Sequence, residues 1–167
     1  EILLPARFEN QINIQNDRLR YVSTETRHGM IQAAKGEYVA LLNAGLVPTK
    51  NDWLKELMNI GQQETSGLVT GRVVDARYRV ETVGVSVDTD KGRLLYPEKG
   101  TPGKSLGYYY RIALPRNIQA ATEDCLLFNK QLYLNLEGIN ENLGKEWMGV
   151  DLSLQFASAG KRNVYVS

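Results

Sequence analysis

Ala120-Ala121-Thr122-Glu123-Asp124-Cys125-Leu126-Leu127-Phe128-Asn129-Lys130 runs into Leu136-Glu137-Gly138-Ile139-Asn140-Glu141-Asn142-Leu143. Val150-Asp151-Leu152-Ser153-Leu154-Gln155-Phe156-Ala157-Ser158-Ala159-Gly160 then leads to Asn163-Val164-Tyr165-Val166. Ile118 to Phe128 is strand-like at both ends. Lys130 to Leu136 has the composition of a short helix, and Gly149 to Ala159 that of a longer one stopped by Gly160. Asn163 to Val166 closes as a strand. Strand, helix, helix and strand in this order predict an α/β domain with a mixed sheet flanked by helices.

Working back toward the N-terminus strengthens that reading. Tyr38-Val39-Ala40-Leu41-Leu42 is apolar without a break, which predicts a strand covered on both faces and central in its sheet. Gly29 to Lys35 predicts a helix before it, with Gly36 as its C-cap glycine. Pro48 and Asn51-Asp52 open a further helix, whose Trp53, Leu54, Leu57, Met58 and Gly61 recur at helical spacing. Gly67 to Val74 reads as a strand, and Thr82 to Val87 as another. Asp90-Lys91-Gly92 turns the chain into Arg93 to Tyr96. Residues 97 to 107 form a Pro- and Gly-containing loop. Near the start, Ile2 to Leu4 and Arg20 to Ser23 are short strands, with a polar loop or irregular helix over residues 8 to 19.

The chain has 167 residues, 43% of them hydrophobic and 23% charged, with a net charge of +1. The length fits one domain able to bury an ordinary core. The near-neutral balance gives no bulk field for nucleic acid. No run of about 18 apolar residues predicts a membrane span. Cys125 is the single cysteine and His28 the single histidine. An internal disulfide and a histidine-rich metal site are therefore excluded, and a reducing compartment is the expectation. Within Cys-Leu-Leu-Phe, Cys125 reads as a buried apolar filler rather than a nucleophile.

From about Arg20 onward the chain resembles the family 2 glycosyltransferases, which are inverting and nucleotide-sugar-dependent. Ala33-Ala34-Lys35-Gly36-Glu37-Tyr38-Val39-Ala40-Leu41-Leu42-Asn43 is similar to the family's entry into its metal site. Leu46 to Leu57, Gly67 to Val74, the Gly84 region and the Cys125 and Gly138 segments follow in family order. The resemblance implies a glycosyltransferase A-like fold. It implies transfer of a sugar from a nucleotide sugar to a glycan or lipid-linked acceptor, in the cytoplasm or on the cytoplasmic face of a membrane. Residues 1 to 167 are expected to be one such domain, within a larger protein or lacking its N-terminal nucleotide-binding strands, because Pro5 to Gly36 is short for a complete nucleotide half.

The working positions depart from the family pattern. The family's metal site carries Asp-any-Asp or Leu-Asn-any-Asp, which holds Mg²⁺ or Mn²⁺ against the leaving diphosphate. Here it reads Asn43-Ala44-Gly45, so no metal is expected unless the family site still functions. Asp88-Thr89-Asp90 reads instead as a hairpin turn. The family's general base falls at Gly149, inside Met148-Gly149-Val150-Asp151-Leu152. Asp151 remains, as base or as a helix-capping residue. Glu123 and Asp124 are either a relocated base or a charged pair at a strand end. Asn43, Gly45 and Trp147 are the candidate substrate-binding residues, and Asp151, Asp124 and Glu123 the candidate catalytic ones. Tyr108-Tyr109-Tyr110 can stack on sugar faces or meet a partner. Three functions remain open: a sugar-transfer enzyme, a catalytically inactive domain that binds a protein partner or scaffolds a larger protein, and a carbohydrate-binding relic of the acceptor side of the cleft.

Overall fold

The computed structural model describes residues 1–9, 11, 12 and 16–167. The expectation of a loop or irregular helix over residues 8 to 19 lies partly outside the described residues. Of that segment, Phe8 ends a 3-10 turn at Ala6–Phe8 and Leu19 opens the next strand. Strands β1 (Ile2–Pro5) and β2 (Leu19–Val22) pair in parallel. Helix α1 (Arg27–Ala33) follows, capped by Thr26, whose hydroxyl accepts from Gly29 N. It starts earlier than Gly29 because that cap satisfies its first turn. It ends at Ala33, with Ala34 extended, so Gly36 is not its C-cap.

The main sheet contains β3 (Tyr38–Leu42), β4 (Ser66–Gly71), β9 (Arg116–Ile118), β10 (Cys125–Asn129) and β11 (Arg162–Val166). Their lateral order is β3-β10-β4-β11-β9. Only β4 and β11 pair in parallel; β10 runs antiparallel to both its neighbours. The α/β class with a mixed sheet therefore holds. Two hairpins leave the sheet after β4: β5 (Val73–Val74) with β6 (Val80–Thr82), and β7 (Ser86–Asp88) with β8 (Arg93–Leu95). Asp88-Thr89-Asp90 does lie at the turn of the second hairpin, with Asp88 accepting from Lys91 N and paired with Arg93.

The expectation that Tyr38 to Leu42 is central and buried is wrong. Among the described residues β3 is an edge strand bonded only to β10, and Leu42 is 43% exposed. Its unbroken apolar run has another cause. Val39 and Leu41 pack on one core, with Ile31, Leu126, Phe128 and Leu152, while Tyr38 packs on the opposite one with Leu57 and Leu127. Helix α2 (Trp53–Gly61) covers that second face, and α4 (Lys145–Ser158) with α3 (Lys130–Leu134) covers the first. Ala40 and Leu42 stay exposed, so an unbroken apolar run fixes neither full cover of both faces nor position across the sheet.

Candidate functional site

The end of β3 and the start of β10 meet at one corner. Asn43 N donates to Asp124 O at 2.9 Å, closing the ladder one residue beyond β3. The same register places Asn43 Nδ2 3.4 Å from Asp124 Oδ1, while Thr122 Oγ1 donates to Asp124 Oδ2 at 2.6 Å. Glu123 lies between these two residues. Around it opens a polar cleft of about 260 Å³. The first turn of α4 contributes Lys145 and Glu146, and the hairpin region contributes Glu81, Thr82, Tyr96 and Lys99. Lys99 pairs with Glu81 at 3.0 Å and stands over the Tyr96 ring.

Glu123 is only 6% exposed, and neither of its carboxylate oxygens accepts a hydrogen bond among the described residues. Arg27 Nη2 stands 3.1 Å from Oε2, close enough for ion pairing but not aligned as a donor. Burial raises the Glu123 pKa above the ordinary value; Arg27 and Lys145 pull it back. A buried carboxylate without hydrogen-bond donors is costly to keep. Its environment suits one that takes up a proton or receives donors from a ligand.

Gly149 has a structural reason. A Cβ there would stand 2.6 Å from Ala121 O, Glu123 N and the Thr122 carbonyl carbon. Helix α4 therefore passes directly against the backbone that carries Glu123. Ser153 Oγ holds the same contact by accepting from Ala121 N at 3.0 Å. A carboxylate at residue 149 and the present path of residues 121–123 exclude each other sterically.

The remaining sequence candidates lie elsewhere. Helix α4 begins at Lys145, so Asp151 is in its second turn and caps nothing, contrary to the capping reading. Asp151 Oδ2 accepts from Gln155 Nε2 at 2.8 Å, and Gln155 in turn bonds both N and O of Gly138. Trp147 packs beside Val85, Ala120 and Val150, while its neighbour Glu146 faces the cleft. Gly45 lines a separate, larger hollow of about 460 Å³, together with Leu42, Leu46, Trp53, Leu57 and Cys125. That hollow is mostly apolar, so the smaller cleft, where acids and amines converge, is the one equipped for chemistry. Burial pushes the Cys125 thiol pKa up, which fits a filler and not a nucleophile. Arg27, Glu81, Tyr96, Lys99, Lys145 and Glu146 carried no sequence signal; scattered charges converge only through the fold.

The family resemblance implies a divalent cation near Asn43 to Gly45. The oxygen donors at that corner are the Asn43 amide and the Asp124 carboxylate, already turned toward each other and toward Thr122. No three His, Cys, Asp or Glu side chains gather into a metal-binding group among the described residues. A hard divalent cation takes more oxygen ligands than this. The residues present do not fit it, and the chemistry of the cleft is derived without a metal. Among the described residues no helix is long and apolar enough to cross a membrane.

No protein-family profile matches the chain. It is similar to an uncharacterized protein, y4gI, of Sinorhizobium fredii (strain NBRC 101917 / NGR234), with 26% identity over 162 residues. The match covers 94% of this chain and 17% of that protein, so the chain spans a small fraction of its relative's length.

Proposed function

We propose that this chain is a glycosyltransferase-type domain of A-like fold, which moves a sugar from a nucleotide sugar to a glycan or lipid-linked acceptor with Glu123 as general base. One observation carries the reading: Glu123 lines a polar cleft and keeps a buried carboxylate that accepts no hydrogen bond among the described residues. The mixed sheet and the order of the motifs along the chain support it as well. In the transfer, the acceptor hydroxyl gives its proton to Glu123. Its oxygen forms the bond to the anomeric carbon as the bond from that carbon to the diphosphate breaks. The electron pair leaves with the nucleoside diphosphate. Lys145 and Lys99 supply positive charge within the same cleft. Asp124, held by Thr122 and facing Asn43, orients the corner.

Turnover of a nucleotide-sugar panel with simple glycan acceptors tests the proposal. Release of nucleoside diphosphate is expected from the parent chain. Glu123→Gln should lower it by about 10²- to 10⁴-fold, the usual contribution of a general base. Unchanged turnover in Glu123→Gln would remove Glu123 from the role. A second reading, a domain that no longer transfers sugar and serves partner binding, is favoured by the poor donor set at Asn43 to Gly45. Absence of both nucleotide-sugar binding by calorimetry and turnover by the parent chain would select it.

A further inference from the structure

We propose that the loop from Lys104 to Arg116 is a docking surface for an anionic phospholipid membrane, whose headgroup layer receives Leu106, Tyr108, Tyr109, Tyr110 and Leu114. These five residues are 54%, 66%, 81%, 55% and 56% exposed, so each keeps more than half of its surface in water. Large apolar residues gathered in this way on one short loop mark an interaction surface. The occupant follows from the charge beside them. Lys104, Arg111 and Arg116 are the charged residues of this segment, and all are positive, in a chain whose net charge is only +1. Arg116 is half-buried, while Lys104 and Arg111 are exposed. Tyrosine and leucine beside lysine and arginine suit the boundary between water and acyl chains, where ring bodies enter the apolar layer and basic heads meet lipid phosphates. This surface is independent of the sugar-transfer reading.

The backbone suits a medium poor in water. Tyr110 N bonds Gly107 O, Arg111 N bonds Tyr108 O, Ile112 N bonds Leu106 O, and Ala113 N and Leu114 N both bond Tyr110 O. Gly107 N and Tyr108 N donate to Ser105 Oγ and Glu98 Oε1. Backbone groups paired in this way do not need the water that a bilayer removes. Tyr109 and Tyr110 take left-handed φ of 49° and 60°, values that cost a bulky residue energy and that gather at functional sites. Ile112 anchors the loop: it is fully buried, and its carbonyl accepts from Tyr165 Oη at 2.7 Å. Tyr165 alternates with Val166, which packs with Leu57 of α2, so the loop is held on the sheet face opposite α2. The same composition continues beside it. Gly103 N bonds Tyr78 O at 2.7 Å, which brings the exposed Arg77, Tyr78 and Arg79 to the start of the loop. The acids bonded to these segments are Glu98 and Asp75, and both accept from backbone N–H groups, of Tyr108 and of Arg77 and Arg79.

Co-sedimentation of the full chain with phospholipid vesicles tests the surface. One vesicle is phosphatidylcholine alone; the other is phosphatidylcholine and phosphatidylserine in equal parts. Binding is expected to the mixed vesicle, to fall as salt rises, and to be weak on the neutral one. Lys104→Ala and Arg111→Ala should each weaken it by about five-fold, the scale of one basic residue at an anionic surface. Tyr109→Gly separates docking from folding: it should weaken binding while leaving the melting temperature unchanged or raised, since glycine relieves the left-handed φ. Lys55→Ala changes an exposed lysine of α2, on the other face of the sheet, and should bind as the parent does. Absence of sedimentation with the mixed vesicle would overturn the membrane surface. Equal binding to both vesicles, unchanged binding by Tyr109→Gly, or equal losses in Lys55→Ala and Lys104→Ala would overturn it as well. Loop-dependent self-association in sedimentation velocity, without vesicle binding, would assign the patch to a protein interface instead.

Discussion

Glu123 lines the cleft, its two carboxylate oxygens accept no hydrogen bond among the described residues, and its titration should show in both stability and rate. Its folded pKa is raised by burial, so the folded state holds the proton more tightly than the unfolded state. Stability from this group is present below the ordinary glutamate pKa and is lost as pH rises through the folded value. In Glu123→Gln that loss is absent, so the melting temperature of the variant minus that of the parent should grow from acid to neutral pH. A base must be ionised, so the acid limb of the transfer rate should lie above the usual glutamate range. Gly149 is the second decisive residue. Alanine there gains up to about 1 kcal/mol of helix propensity. It also drives a methyl into the backbone of residues 121–123. Overpacking of this sort costs about 1–3 kcal/mol. Gly149→Ala should therefore be destabilised in urea titration, and Gly149→Asp should show no added activity despite restoring an acid.

At the scale of elements, β3 and α4 differ most from their sequence reading. The Asn43–Asp124 and Lys130–Glu37 bonds fix the antiparallel register. Alternation then directs the N–H groups of Val39 and Leu41 at β10, and those of Tyr38, Ala40 and Leu42 at the open edge. Amide hydrogen exchange should reproduce that alternation, with residues 39, 41 and 43 protected and 38, 40 and 42 fast. Uniform protection along the strand would mean that another strand covers the edge. Helix α4 starts at Lys145, one turn earlier than the apolar pattern suggests. The cause lies in its first turn, Lys145-Glu146-Trp147, where two charged residues face the cleft and only Trp147 packs. That turn has no apolar stripe for a periodicity argument to find.

Across the whole molecule, Tyr165 ties the tyrosine loop to the central sheet. Its ring is fully buried on β11, its hydroxyl bonds Ile112 O, and Arg116 lies over its face. Burial pushes its pKa up to about 12. The unfolded phenol ionises near pH 10, so stability from Tyr165 is complete below that point and is lost as pH rises toward 12. Tyr165→Phe removes the bond and leaves the buried Ile112 carbonyl unsatisfied, at a cost of about 1–3 kcal/mol. Its alkaline unfolding should begin at higher pH than the parent's, measured from a lower starting stability. If the parent and Tyr165→Phe lose stability over the same alkaline range, another group controls it.

Local sequence determined the α/β class and most elements, because apolar periodicity is a local record of which side meets the core. It also marked Glu123, Asp124 and Asn43, since acids and an amide at strand ends stand out against apolar runs. It gave no account of Gly149 as a contact: a glycine's absent side chain matters only once α4 lies against residues 121–123. Nor did it show that β3 is an edge, because strand order depends on pairings between residues as distant as Leu42 and Cys125. The tertiary structure alone gathered Arg27, Lys99, Lys145 and Glu146 around Glu123 and separated Asp151, Trp147 and Gly45 from it. Charges far apart in sequence interact only through space, and no local pattern carries that distance.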